Sequence, residues 1–374
     1  MQHQISRLTT AATIALALLA GTAHAQSSVT IYGTIDQYFN YMHSSSGSTF
    51  TGLEDGALFR SRLGFRGTED LGGGLAAKFV LEGGLDGRTG ATADATRNFD
   101  RQSWVGLASP YGEVRIGRQN GVAFARGDYI DFTTRTLGSI INTFGLPARY
   151  DNDLSYISPR IGGVLAEVHY SLGETLAGLT HQAVMQAGVD YLNGPYRIGY
   201  AGLRAKAPTG AVQTAPVIYD NFYANYDYGQ GLIYLAHVRT NNSTSNAVSN
   251  NAGTILSNVG GLVAGTNADI NRYYGIWQLS ADYRVTSSLR VGALWGRIKD
   301  TSNSGRGANG GAVAAYYSLS KRTTVHAIAE TLRNDRNAGF RLAGSAALQA
   351  NFTSPNDING QTINGVQLGV LHRF

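Results

Sequence analysis

Cysteine is absent from the 374 residues, so no disulfide can hold this chain together. Proline is scarce, at seven residues, and no Pro- or Ser-rich linker or shift in composition divides the chain. Beyond the first 25 residues there is no apolar run of about 18 residues, which excludes a membrane-crossing helix. Lysine is nearly missing as well: of the 30 basic residues four are Lys and 26 are Arg. The arginines stand singly along the chain, without a basic run or helix. The net charge of +5 therefore does not describe a nucleic-acid partner.

What is present begins with Arg7, followed by an apolar and small-residue stretch from Leu8 to Ala23 and the triplet Ala23-His24-Ala25. A positive region, a short apolar core and an A-x-A site make a cleavable export signal rather than an anchor. The expected organisation is a signal peptide over 1–25 and one domain over 26–374, whose net charge falls from +5 to +4 with the loss of Arg7. Glycine (48), tyrosine (21) and phenylalanine (13) are plentiful, and mean hydropathy is slightly negative. That average suits a barrel in which every second residue faces water. At the far end Val366, Leu368, Val370 and Phe374 fall on one face, with Gln367 and Arg373 on the other. This is a strand with an apolar and a polar side. Taken alone it fits either the edge of a soluble sandwich or a transmembrane barrel whose last aromatic sits in the interfacial girdle.

Sixteen segments read as strands: 28–42, 56–70, 74–86, 97–109, 112–120, 149–158, 163–173, 180–193, 195–207, 215–228, 231–240, 271–285, 288–300, 307–320, 323–335 and 363–374. Short connectors with turn residues, such as Asn193-Gly194 and Tyr228-Gly229-Gln230-Gly231, alternate with longer ones at 120–148, 241–270 and 336–362. A soluble sandwich gives no reason for that alternation. An outer-membrane barrel does, with turns on the periplasmic side and loops outside. The expected fold is all-β, a 16-stranded antiparallel transmembrane β-barrel. Sixteen strands close a barrel too wide for side chains to fill, which leaves an aqueous channel.

Four stretches, in order, then carry a resemblance. They are Ser28-Val29-Thr30-Ile31-Tyr32-Gly33-Thr34-Ile35-Asp36; Ser61-Arg62-Leu63-Gly64-Phe65-Arg66-Gly67-Thr68-Glu69-Asp70-Leu71-Gly72; Asp100-Arg101-Gln102-Ser103-Trp104-Val105-Gly106-Leu107 with Val114-Arg115-Ile116-Gly117-Arg118-Gln119; and Leu371-His372-Arg373-Phe374. Across essentially the whole mature chain the sequence resembles the Gram-negative trimeric general porins. The resemblance implies an outer-membrane homotrimer of water-filled barrels for passive diffusion of small polar or anionic solutes. It also implies contact with outer-membrane lipid and lipopolysaccharide, recognition of Phe374 by the barrel-assembly machinery, and a third loop folded into the lumen opposite an arginine cluster. By position, Arg62, Arg101 and Arg149 match the cluster; Arg60 and Arg66 share the parity of Arg62. The inserted loop runs from Asn120 to Ala148, with the acids Asp128 and Asp131 and the bases Arg126 and Arg135. The family's Pro-Glu-Phe-Gly-Gly turn is replaced by Thr134-Arg135-Thr136-Leu137-Gly138. The loop charges cancel against a positive wall, so weak anion selectivity is expected. The other reading of Asp128 and Asp131 is that they cap a turn or pair with the loop arginines.

The remaining motifs point to no catalysis. The glycines at Gly64, Gly67 and Gly72–Gly74 precede no helix that could hold a pyrophosphate. His43, His169, His181, His237, His326 and His372 show no metal-ligand spacing, so neither metal nor cofactor is expected. Tyr150, Tyr156 and Asn225-Tyr226-Asp227-Tyr228 suit an interfacial aromatic girdle better than a sugar slide. Gly33, Gly106 and Trp104 are expected on the outer, subunit-facing wall. Two alternatives to a channel are a lipase-like barrel enzyme and an adhesion or structural barrel acting through 241–270.

Overall fold

The computed structural model describes residues 28–173, 183–205, 217–241, 273–301, 303–342, 344 and 352–374. Its strands are β1 (Ser28–Ser44), β2 (Thr49–Asp55), β3 (Arg62–Gly72), β4 (Leu75–Gly84), β5 (Gln102–Ser109), β6 (Gly112–Asn120), β7 (Arg149–Ile157) and β8 (Val164–Ser171). They continue with β9 (Val184–Asn193), β10 (Tyr196–Ala205), β11 (Val217–Asp227), β12 (Leu232–Asn241), β13 (Tyr273–Arg284), β14 (Leu289–Asp300), β15 (Ala308–Ser318), β16 (Thr323–Asn334) and β17 (Thr362–Arg373). From β3 onward each pairs antiparallel with the next, and β17 closes onto β1 from Thr34↔Arg373 to Ser44↔Ile363. The far half of β1 also pairs β2 and its near half pairs β3, so β2 and β3 are two pieces of one stave. The result is a closed barrel of sixteen staves, without a free edge.

The interruption corrects the strand expected at 56–70. Residues 56–61 leave the ladder, starting at Gly56 with φ 78°. The Asp36 carboxylate accepts the N–H groups of Leu58 and Phe59 at 2.6 and 2.8 Å. Asp36 N–H donates to Ser61 Oγ at 3.0 Å, and Ser61 Oγ in turn donates to Asp55. These partners come from different strands, and local pattern does not reveal them.

Elsewhere the period-2 alternation sets which face is which. Val366, Leu368 and Val370 of β17 are exposed on the outside, while Gln367 and Leu371 are buried inside. Apolar outside and polar inside is the inverse of a soluble fold and suits lipid contact. Tyr111, Tyr156, Tyr196, Tyr226, Tyr283, Tyr317 and Phe374 are exposed near the short-turn end, where an interfacial girdle belongs. Tyr150 is not part of it, being fully buried. Trp104 and Gly106 also depart from expectation: Val105 and Leu107 are the outward residues of β5, and Trp104 turns inward under Arg115, whose Cζ is 4.4 Å from the indole. Gly33 does face outward, and the Phe374 ring lies over it. Seven turns gather at one end, and the connectors 85–101 and 121–148 and the described parts of 335–361 at the other, though β1 and β2 are joined there by only four residues. Among the described residues no helix is long and apolar enough to cross a membrane.

Candidate pore constriction

The connector between β6 and β7 folds back into the barrel and narrows it. It contains α1 (Val122–Arg126), a short 3-10 turn (Gly127–Tyr129) and α2 (Ile140–Phe144). The inner wall is prepared for it. Val122 sits over Gly188 and Phe132 over Gly292, and a Cβ at either glycine would collide with those side chains. Polar anchors complete the seat. Gln186 Oε1 accepts Val122 N–H at 3.0 Å, and Gln278 Oε1 accepts the Ile140 and Ile141 N–H groups at 2.7 and 3.0 Å. The loop also meets the 56–61 excursion, where Leu137 N–H donates to Ala57 O at 3.3 Å.

Arg62, Arg101 and Arg149 are drawn together around one carboxylate, Glu82 of β4. Arg101 Nε donates to Glu82 Oε1 at 2.7 Å, and Arg62 Nη1 lies 3.7 Å from Oε2. Tyr32 OH also donates to Oε2, at 3.0 Å. Arg149 has no ion pair among the described residues; its Cζ lies 4.4 Å from the Phe124 ring of the loop, and its Nε and Nη2 lack partners. Arg60 lies on the excursion rather than in a strand, with its buried Nε unpartnered. Arg66 is on the lumen side over Tyr32, at 5.3 Å. A second, better-balanced cluster lies beside the first: Arg97 and Arg118 share Asp151 at 3.0 and 2.6 Å.

The loop charges are spent on the loop itself. Asp131 is fully buried. One oxygen accepts Thr133 N–H (2.9 Å), Thr133 Oγ1 (2.6 Å) and Arg135 N–H (3.1 Å); the other accepts Ser139 Oγ (2.7 Å) and Gln278 Nε2 (2.8 Å). That network holds Thr134 and Arg135 in the left-handed region, at φ 59° and 55°. Asp128 is half exposed and pairs Arg135 at 3.3 Å. Arg135 stacks on Phe124 at 3.6 Å, and burial pulls its guanidinium below its ordinary range, with Asp128 opposing. Arg126 points at the wall, 2.6 Å from Glu167, which also holds His169 at 2.9 Å; His169 reaches Asp153 at 2.6 Å.

Glu82 is not among the residues that the family resemblance marks. Its signal was the alternation of Lys78, Val80 and Glu82 against Phe79 and Leu81, which places the acid on the lumen face. Among the described residues no group of three His, Asp or Glu side chains is placed to hold a metal ion. His181 and residues 1–25, with the signal they spell, lie outside the described residues, as does nearly all of 241–270.

A family model for Gram-negative porins matches residues 11–337. The chain is 28% identical over 380 residues to outer membrane porin protein 32 of Delftia acidovorans, covering 96% of this chain and 99% of that protein. Among solved structures, the anion-selective porin from Comamonas acidovorans is similar with a TM-score of 0.76 at 25% identity, over 93% of this chain and 100% of that one. A trimer form of OmpT, an outer membrane protein of Vibrio cholerae, shares the fold at a TM-score of 0.59 and 14% identity, over 93% and 99% of the two chains.

Proposed function

This chain belongs to the Gram-negative porin family, and from that premise we propose how its channel sorts solutes. It is an outer-membrane porin, a water-filled barrel through which small hydrophilic solutes and ions diffuse passively. The proposal is that the channel favours anions, and that Arg62, Arg101 and Arg149, with Arg60 beside them, are the reason. One observation carries it: Arg62 and Arg101 share the single carboxylate Glu82 and Arg149 has no ion pair among the described residues, while the loop acids are committed elsewhere, Asp131 to hydrogen bonds and Asp128 to Arg135. Arginine stays charged at any working pH, so the excess is permanent. Arg101 and Arg149 are almost entirely buried, so they act through their field, and Arg62 is the member more open to the lumen. Fixed charge beside a narrow, low-dielectric wall concentrates counter-ions and repels co-ions. The name of the Comamonas protein, anion-selective, points the same way. Replacing all three arginines by Gln should shift the zero-current potential in a chloride gradient toward the unselective value. An unchanged potential would remove the arginines from the explanation.

The same reading includes export by cleavage after Ala25, a single barrel over 26–374, and assembly directed by Phe374 and the barrel-assembly machinery. It includes a homotrimer in contact with lipid and lipopolysaccharide. The apolar outward residues Val29, Ile31, Val105 and Leu107 are the proposed subunit contact. The relatives are channels rather than enzymes, and no catalytic residue, metal or cofactor is assigned.

A further inference from the structure

At the long-connector end, which faces outward in a porin, the described arms of the connector 335–361 fold in over the inserted loop. Their apolar side chains Ala338, Phe340, Leu342, Phe352 and Ile358 are all buried. Phe340 meets two elements at once. Its ring lies 5.9 Å from Phe144, the last residue of α2, and 6.5 Å edge-on from Tyr274 of β13. Phe144 and Tyr274 are themselves 5.1 Å apart, so three aromatics join the wall, the inserted loop and the outer connector. Asn142 adds a polar tie, its Nδ2 donating to Gly344 O at 2.9 Å.

The connector is in turn fixed to the barrel rim. Asn334 at the end of β16 clasps it: Nδ2 donates to Phe340 O at 2.9 Å and Ile358 O at 3.1 Å, and Oδ1 accepts Phe340 N–H at 2.9 Å. On one side Asn337 Nδ2 donates to Ser304 O, at 2.7 Å, between β14 and β15. On the other side Asp357 reaches the β1–β2 hairpin. One of its carboxylate oxygens accepts Ser46 Oγ at 2.8 Å and Ser48 Oγ at 2.7 Å, and its carbonyl accepts Ser44 Oγ at 2.7 Å. The helix α2 is thus held from two directions. The wall holds its first turn, through Gln278 Oε1 and the Ile140 and Ile141 N–H groups. The connector holds its far end, through the Phe340 ring and Gly344 O.

We propose that the described arms of 335–361 are a brace that fixes how far the inserted loop reaches into the lumen, so that a change at the outer rim alters conduction without touching the constriction arginines. Packed interiors rearrange in steps rather than by gradual deformation, so the aromatic contact is either made or broken. With it made, both ends of α2 are fixed and the loop keeps one position. With it broken, Gln278 and the glycine seats hold the loop alone, and wider positions become populated. The coupling is reciprocal, since whatever frees the connector frees the loop by the same factor. The proposal rests on the inserted loop being the narrowest part of the pore, and its test separates the two ideas.

Single channels of the full-length protein in planar bilayers would be recorded for Phe340→Ala, which empties the aromatic contact, and for Asp357→Ala, which releases only the rim. Amide hydrogen exchange over 138–146 would be read on the same proteins. Both variants should raise the occupancy of wider open levels about fivefold or more, and both should speed exchange of the α2 amides. Asp357→Ala decides the matter, because its hydroxyl partners belong to the β1–β2 hairpin and it stays informative where Phe340→Ala impairs folding. Wild-type occupancy in Asp357→Ala overturns transmission from the rim, whether or not Phe340→Ala changes the channel. Faster α2 exchange with unchanged conductance overturns it as well. Gln278→Ala, which frees the wall end of α2, is the reference. If it widens the pore and Asp357→Ala does not, the brace falls and the constriction stands. If neither changes the conductance, the inserted loop is not the narrowest part and both readings fall.

Discussion

At the scale of single residues, Glu82 sets the charge balance of the constriction. It is almost fully buried and serves Arg62, Arg101 and Tyr32 at once. Glu82→Gln keeps the shape and removes the one negative charge among them. Leaving buried guanidiniums uncompensated should cost roughly 3 kcal/mol. The expected outcome is a barrel with a lower unfolding temperature, read from heat-modifiable migration, and a stronger anion preference. A variant with an unchanged reversal potential would show that Glu82 does not moderate the field. The family resemblance marks Arg62, Arg101 and Arg149 by position; Arg62 and Arg149 open β3 and β7, and Arg101 stands one residue before β5. Glu82 could not be singled out, because one acid in an alternating strand looks like any lumen-facing residue until its partners on other strands are known. Trp104 was misplaced for a related reason: a strand's two faces are distinguishable by pattern, but which one faces the lumen is decided by neighbours, here Arg115.

At the scale of elements, the inserted loop is held by one buried acid and by missing side chains on the wall. Asp131 accepts five hydrogen bonds across the loop and from β13. Asp131→Ala should therefore loosen the loop by about 3 kcal/mol or more, since several bonds to a charged acceptor are lost together. Single-channel records should become noisier and the mean conductance larger, with the barrel still folded. A quiet channel of wild-type conductance would mean that the glycine seats and Gln278 suffice. The sequence exposed the loop through its length and position, and it left open whether its acids face the pore or the loop. The excursion at 56–61 was not legible at all, because Asp36, Asp55 and Ser61 build it from separate stretches of chain.

At the scale of the whole molecule, sixteen staves close at the seam between β1 and β17, and Phe374 marks that seam. Its backbone exchanges two hydrogen bonds with Gly33, at 3.0 and 3.1 Å, and its ring fills the space that Gly33 leaves open. Deleting Phe374 should lower the yield of folded, heat-modifiable barrel while leaving the conductance of surviving channels unchanged; an equal yield would contradict the assembly role. Val105, exposed on the proposed subunit wall, gives a test of the trimer. Val105→Arg should weaken it, because a charge there is costly against lipid or protein, by about 2–4 kcal/mol at mid-membrane depth. Crosslinking in mild detergent should then show monomers, and a trimer as resistant as the wild type would exclude this face. On the proposed reading, an arginine wall that Glu82 neutralises only in part governs permeation. The most direct measurement is the zero-current potential of the wild-type channel across a potassium chloride gradient, taken at low and at high salt. The predicted result is a potential of anionic sign, largest at low salt and shrinking as the screening length falls from about 10 Å at 0.1 M to about 3 Å at 1 M. A cationic sign at low salt would contradict the account and would hand control of the pore to its carboxylates.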